Sequence, residues 1–370
     1  MMRRVLLMML TLLMLALPAL AEENLTVLGV EVEPSATALD LSSLVRMSKK
    51  QALELSEALQ SLPDVVEVDL RSVEVNRDGQ AALLAAHPGI HFRWEVPIGM
   101  ARVDGDLSEL DLDALQINAR RVEMKDIRQL IACLPNLKHL TMYTFVYTKA
   151  EMEQLLADFP DIDFKWSVHW RMFPGVVVNW HTDTTAFSTM KSVQMKPRYT
   201  ADQLMEYLKH MPDLLAIDVG HNDVSDLSFL TNWPNLRRLI CVESTHKVTD
   251  ISPLAELMDL EYVELFLQNI TDISPLANHT KLLDLNLCHN DITDLSPLYS
   301  CTNLERLHIS YNEHLTEEEV AKLQEALPNC VIETETYQST GAGWRGHPRY
   351  FIMYQSFEDR VYYPFEETAE

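Results

Sequence analysis

The sequence predicts an α/β solenoid: a curved stack of short repeats with a parallel β-sheet on its concave face. Three observations predict it. The phrase Ile-Thr-Asp-Ile-Ser-Pro-Leu begins at Ile270 and returns, with one leucine for isoleucine, at Ile292. Apolar runs of the form L-x-x-L-x-L begin at Leu214, Leu236, Leu260, Leu282 and Leu304, spaced 22, 24, 22 and 22 residues apart. Upstream, Leu62 to Met100 aligns without a gap on Leu134 to Met172, at a constant offset of 72. A fixed period marks a supersecondary unit that cannot bury its apolar face alone and needs a neighbour to do so.

Taken in order, the chain opens on a segment outside any fold argument. Met1 to Arg4 carry two arginines, Val5 to Leu20 are apolar apart from Thr11 and Pro18, and Ala19-Leu20-Ala21 is a small-x-small site. This pattern predicts a secretory signal peptide, residues 1–21, cut after Ala21. The apolar run is shorter than the roughly 20 residues a membrane span needs. The expectation is an exported protein, secreted or extracytoplasmic with the cell surface included, and no membrane insertion after cleavage.

The formal net charge is −25, and removing Arg3 and Arg4 makes it −27. So acidic a chain repels phosphate backbones and anionic lipid surfaces, which excludes nucleic acid as an expected partner. Five cysteines, Cys133, Cys241, Cys288, Cys301 and Cys330, contain no C-x-x-C pair. They read as buried apolar fillers rather than a disulfide framework or zinc site, with Cys301–Cys330 the one conceivable bridge.

Residues 22–176 form the duplicated region. Each copy is preceded by Leu-Asp-Leu (Leu39 to Leu41; Leu110 to Leu112) and a helical pattern, Lys49 to Leu62 and Met124 to Leu134. Strand and helix alternate here. A third helix, Ala201 to Met211, leads into Leu214. Residues 177–333 carry the short repeats. In each, the inward leucines make a short strand, and stacking the next unit about 4.8 Å away completes ladder and core together. A polar residue stands at the eighth place: Asn222, Ser244, Gln268, Asn290 and Asn312. It is expected to bond the turning backbone of its neighbours. Ser252, Ser274 and Ser296, each followed by proline, are expected to cap short helical turns, with Asp226, Asp250, Asp272 and Asp294 as turn and cap residues rather than catalytic acids. Residues 334–370, rich in Trp, Tyr and Phe, are expected to fold over the open end of the last repeat as a cap.

The short units resemble leucine-rich repeats of the bacterial internalin type, on the residues Leu214 to Asn312. The longer upstream units resemble, with leucines often replaced and no asparagine column, the helix-backed repeats of ribonuclease inhibitor-like proteins. A separate α/β domain is the rival reading for that half. The resemblance implies helix-backed N-terminal repeats, short-turn C-terminal repeats and attachment to another protein.

No G-x-S-x-G, H-E-x-x-H, P-loop or G-x-G-x-x-G is present. The chain therefore reads as non-enzymatic, without cofactor or metal; a hydrolase with dispersed carboxylates is the minor alternative. The outward positions of the strands are free of core duty, and there the candidate binding residues lie: Arg238, Tyr262, Glu264, Phe266, Asn286, His289, Arg306, His308 and Tyr311. Exposed aromatics beside arginine are the composition of binding hot spots. The expectation is a protein partner of unspecified identity held in the concave face. The alternative is an envelope assembly component acting through the aromatic N-terminal region, Trp94, Trp166, Trp170, Phe173 and Trp180.

Overall fold

The computed structural model describes residues 24–115, 117–173, 176–189 and 198–365; the expected signal peptide lies outside them. The chain divides into two compact units, the first ending at Phe164 and the second beginning at Lys165.

In the first unit, strands Ala38–Asp40, Glu67–Asp69 and His91–Arg93 pair in parallel, as do Glu109–Asp111 and His139–Met142. Helices Lys49–Leu59, Arg77–Ala86, Met124–Ile131 and Lys149–Asp158 intervene. The 72-residue offset holds at the level of elements: Glu67 matches His139, Arg77 matches Lys149 and His91 matches Asp163, each pair beginning the same kind of element. The helix starts are set by local chemistry. Ser48 with Gln51, and Thr148 with Glu151, form reciprocal capping boxes that satisfy amides the first turn leaves orphaned. Each helix then buries a stripe, such as Ala52, Leu55 and Leu59. The first copy ends in a hairpin, Glu95–Ile98 with Ala101–Asp104, turned at Gly99 where φ is +58° and a side chain would be strained.

The second unit begins with an antiparallel ribbon in which Ser167 to Phe173 pair with Val176 to His181. Seven parallel strands follow: Ala186–Ser188, Ala216–Asp218, Arg238–Ile240, Tyr262–Glu264, Asp284–Asn286, Arg306–His308 and Val331–Glu333. They stack with no slip of register. Phe187, Ile217, Leu239, Val263, Leu285, Leu307 and Ile332 form one row facing the core. This row and the repeat leucines make one continuous cluster from Trp170 to Cys330, nearly all fully buried. The result is a solenoid-like stack of leucine-rich repeats about a parallel sheet, and it extends one strand beyond the five sequence repeats at either end. Helix Ala201–Leu208 precedes the repeats, short 3-10 turns follow the middle strands, and helix Glu317–Ala326 precedes the last strand.

The polar column binds the stack together. Asn290 accepts from the amide of Ile270 and donates to Leu265 and Leu287 carbonyls. Asn312 accepts from Ile292 and donates to Leu287 and Ile309. Gln268 accepts from Val248 and donates to Cys241. One side chain thus bridges two repeats, which a hydrophobic residue of equal size could not do.

Two expectations are corrected. Of the two residue types expected at the turn caps, only the aspartates accept the turn amides: Asp226, Asp250, Asp272 and Asp294 each accept the amide two residues on, all at 2.8 Å. A carboxylate placed before the turn reaches that amide, and the Ser252 and Ser296 hydroxyls add a second bond to Asp250 and Asp294. The C-terminal segment, moreover, does not close the open edge of the last repeat, where Val331 remains 69% exposed. It crosses the sheet face opposite the leucine core. All five cysteines are free and buried, so Cys301 and Cys330 form no bridge.

Candidate functional site

Alternate residues of each strand face away from the leucine core. On this front face two rows run across the ladder: Ala216, Arg238, Tyr262, Asp284 and Arg306, and beside it Asp218, Ile240, Glu264, Asn286 and His308. These rows contain most of the candidate binding residues, and the structure covers them. Arg238, Tyr262, Glu264, Phe266, Asn286 and His308 are all buried; Arg306 and His289 are half-buried; Tyr311 alone is exposed. The expectation of a free face fails for a physical reason. The rings of the C-terminal segment also need burial, and this face offers it within the same chain.

The cover consists of a loop through Trp344 and the helix Pro348–Asp359, which starts at a proline pre-set for the first turn. Trp344 and Met353 pack into a second core with Ile240, Val242, Tyr262, Phe266 and Cys288. The polar contacts are as extensive. Arg349 forks onto Asp284, Nε to Oδ2 at 2.7 Å and Nη2 to Oδ1 at 3.0 Å, while its Nη1 donates to Glu305 at 2.6 Å. Arg306 donates to Asp284 Oδ1 at 2.6 Å and lies over the Trp344 ring. Trp344 Nε1 donates to Glu264 at 2.7 Å, and the Tyr262 hydroxyl donates to the same carboxylate oxygen. Arg238, fully buried, sits 4.4 Å from the Tyr362 ring centre and 3.8 Å from that of Phe365, with Nη1 donating to Ser356. At the far side the Tyr362 amide donates to Thr185.

Burial has the expected electrostatic results. It pushes the carboxyls of Asp218 and Glu264 above the ordinary range and the Tyr262 phenol well above its own. It lowers His308.

The cover stops short of one rim. There His289 stacks on Tyr311 at 4.6 Å between ring centres, and Tyr337 meets Tyr311 edge-on at 5.1 Å. His289 and Tyr311 both have positive φ, 53° and 59°, a strained turn recurring at His221, Glu243 and Leu267 in each repeat.

Two groups of residues escaped the sequence reading. Asp284 and Asp218 hold outward strand positions; for Asp284 the signal in the sequence is an acidic residue one repeat before Arg306 in the same column. Arg349, Met353 and Ser356, the buried stripe of the C-terminal helix, repeat at helical spacing. Conversely, Trp94, Trp166, Trp170 and Trp180 are core residues of their own units, so the aromatic N-terminal region does not present them as a contact surface; the Phe173 side chain lies outside the described residues.

No cluster of three or more His, Cys, Asp or Glu suited to a metal occurs among the described residues. No described helix is long and apolar enough to cross a membrane. In the first unit a hollow of about 780 Å³ includes Arg77 and Asp126, which pair with each other at 3.8 Å.

Comparison with known proteins agrees with the repeat ladder. The profile of the family described as leucine-rich repeats (2 copies) matches residues 280–322. No curated protein matches the chain. Among solved structures, an internalin F of Listeria monocytogenes is 17% identical, with 82% of this chain and 85% of that one covered at a TM-score of 0.34. An internalin C2 of the same species is 22% identical over 40% of this chain and 73% of that one, at 0.29. A leucine-rich repeat protein of Leptospira interrogans is 16% identical over 78% and 75%, at 0.34. With scores this low the register of the strands, not the superposition, carries the fold assignment.

Proposed function

We propose that this leucine-rich repeat protein is exported, non-catalytic and built for recognition. Its front face is the concave surface of a curved stack and takes a segment of a protein partner. The C-terminal segment, Trp344 to Phe365, is the occupant it carries in cis. The observation behind this reading is the make-up of the buried seam. Arg238, Tyr262 and Arg306 meet Trp344, Arg349, Tyr362 and Phe365 through ring stacking and a forked ion pair. Trp, Tyr and Arg are the residues of binding hot spots. Buried ion pairs add little net stability over apolar packing, yet they discriminate strongly between occupants. The rim of His289, Tyr311 and Tyr337 is where an incoming segment first lands before displacing the cover.

The test uses a defined occupant. A fluorescent peptide of residues 343–365 is titrated into the full chain and into the doubly substituted Trp344→Ala, Arg349→Ala chain, whose own segment is loosened. The reading expects the variant to bind with a Kd of about 1–100 μM and the unsubstituted chain at least about tenfold more weakly. A variant that keeps its circular dichroism spectrum but ignores the peptide contradicts it, and makes the segment a permanent part of the core.

A further inference from the structure

The charges buried on the front face are not all compensated. Asp284 faces two guanidiniums, Glu305 faces Arg349, and Glu261 faces Arg238 at 3.3 Å. Asp218 and Glu264 differ. Each is about 1% exposed, and no ion pair reaches either carboxylate among the described residues. Asp218 accepts from the Ser188 hydroxyl at 2.6 Å and the Gly220 amide at 3.0 Å. Glu264 takes both of its hydrogen bonds, from Tyr262 and Trp344, on Oε1, which leaves Oε2 without a donor. A buried carboxylate without a counter-charge is costly; it is relieved by a proton or a cation.

Room for a cation lies between them. Asp218, Ile240 and Glu264 stand in register on three consecutive strands, so the carboxylates flank an apolar floor two strand spacings wide, about 9.6 Å between backbones. They line a cavity of about 220 Å³ walled by Tyr350, Tyr354 and Phe357 of the C-terminal helix. That is smaller than the roughly 300 Å³ at which drug-sized pockets begin, so an occupant has few heavy atoms. Arg345 lines the same cavity and is exposed, its guanidinium 5.6 Å from the Tyr350 ring centre. With Arg345 counted, the lining carries one negative charge in excess when both carboxylates are ionised. His221, also in the lining, pairs outward with Glu243 at 3.3 Å.

We propose that this cavity binds a small organic ammonium ion, its charged head between Asp218 and Glu264 and its alkyl part against Ile240 and the aromatic wall. Ring faces and carboxylates together are what desolvated ammonium groups bind. A bare divalent metal is less suited, because the floor is apolar and only two carboxylates converge. In the empty cavity burial raises both carboxyls, opposed at Asp218 by Ser188, Gly220, His221 and Arg345 and at Glu264 by Tyr262, Trp344 and Arg345, with the Asp218 charge adding to the rise at Glu264, so a proton competes with a bound cation. Ammonium binding therefore displaces protons, and affinity rises with pH through that raised range. The site needs the C-terminal helix in its seat, so a partner that displaces that helix also takes the cavity apart.

Calorimetric titration of the full chain at pH 6 and pH 8 tests this, with choline and n-butylammonium as probes. The controls are 3,3-dimethylbutan-1-ol, a neutral isostere of choline, and calcium. Expected is saturable ammonium binding with a Kd of about 1 mM or below, tighter at pH 8, and at least about tenfold weaker for the neutral alcohol. Glu264→Gln and Asp218→Asn, near-isosteric and checked by thermal melting, should each weaken it about tenfold or more. Overturning results are no saturable heat with either ammonium at about 10 mM, equal binding of the alcohol, calcium binding in place of ammonium, or folded variants with unchanged affinity. Any of these in a chain whose tail peptide still competes for the face removes the ammonium site and leaves the recognition reading intact.

Discussion

Arg349 of the C-terminal helix and Asp284 of the middle of the ladder, 65 residues apart in sequence, form a two-pronged ion pair with the Asp284 side chain fully enclosed. Arg306 shares the same carboxylate. Removing one partner from such a pair costs about 3–5 kcal/mol, because the survivor keeps its desolvation penalty. Asp284→Ala leaves Arg306 without its carboxylate and Arg349 with the half-exposed Glu305 alone, whereas Arg349→Ala leaves Asp284 with Arg306. Urea unfolding should therefore show Asp284→Ala the more destabilised of the two; the reverse order would mean that the pair does not hold the segment.

The front-face aromatics behave as core. Phe266→Ala and Tyr262→Ala should each lower stability by about 3–5 kcal/mol, as other buried large-to-small changes do. A loss under about 1 kcal/mol in denaturant titration would place those rings in solvent, as a free binding face requires.

The asparagine column makes a sharper claim about polar groups. Asn290→Ala takes the side-chain partner from the Ile270 amide and the Leu265 carbonyl in the core, while the Leu287 carbonyl keeps Asn312. At about 1–3 kcal/mol for each buried group left unsatisfied, the urea midpoint should fall clearly. Asn303→Ala, in an exposed turn where the side chain donates to Thr280, should cost far less.

These two substitutions mark how far the sequence was legible. Strand starts, the core row and the polar column follow from a 22-residue period, because the same local rule is applied four or five times and each copy checks the others. The turn caps are legible only as a choice between serine and aspartate, since Ser-Pro and Asp-x-Ser present similar local chemistry and only geometry separates them. The site is less legible still. Tyr262 and Phe266 do point outward from the leucine core, as their positions dictate, but outward is not exposed once Trp344 and Met353 arrive from about 80 residues away. No period links the tail to the ladder, so nothing local in the sequence announces the contact.

Stability should carry a pH signature from the two uncompensated carboxylates. Their native values lie above the ordinary 3.8 of Asp218 and 4.5 of Glu264, so the native state binds protons more tightly than the unfolded chain. Their contribution is present below those ordinary values and lost as pH rises through the native ones. His308, lowered by burial from 6.5, acts oppositely: its contribution is lost as pH falls through 6.5. Subtracting the wild-type unfolding curve from that of Asp218→Asn/Glu264→Gln cancels His308. The variant should gain relative stability as pH rises above about 4, and a flat difference contradicts the assignment.

All five thiols are buried, with Cys241 and Cys330 pushed up to about 12 and Cys133, Cys288 and Cys301 to about 11 by loss of solvent. Thiolate is the reactive form. Ellman's reagent at about pH 8 should find no reactive thiol in the folded chain and five after denaturation. Fewer than five in the unfolded, unreduced chain would reveal a disulfide.

The central claim is that the front face is held by the chain's own C-terminal helix, and amide hydrogen exchange tests it most directly. An isolated helix of 12 residues is marginal in water, so protection there has to come from docking. The account predicts that amides from Phe351 to Asp359 exchange at rates within about tenfold of those in the strand Tyr262–Glu264, and that Arg349→Ala speeds the helix selectively. Helix amides that exchange like those of a free peptide, in a chain whose strands stay protected, would contradict it.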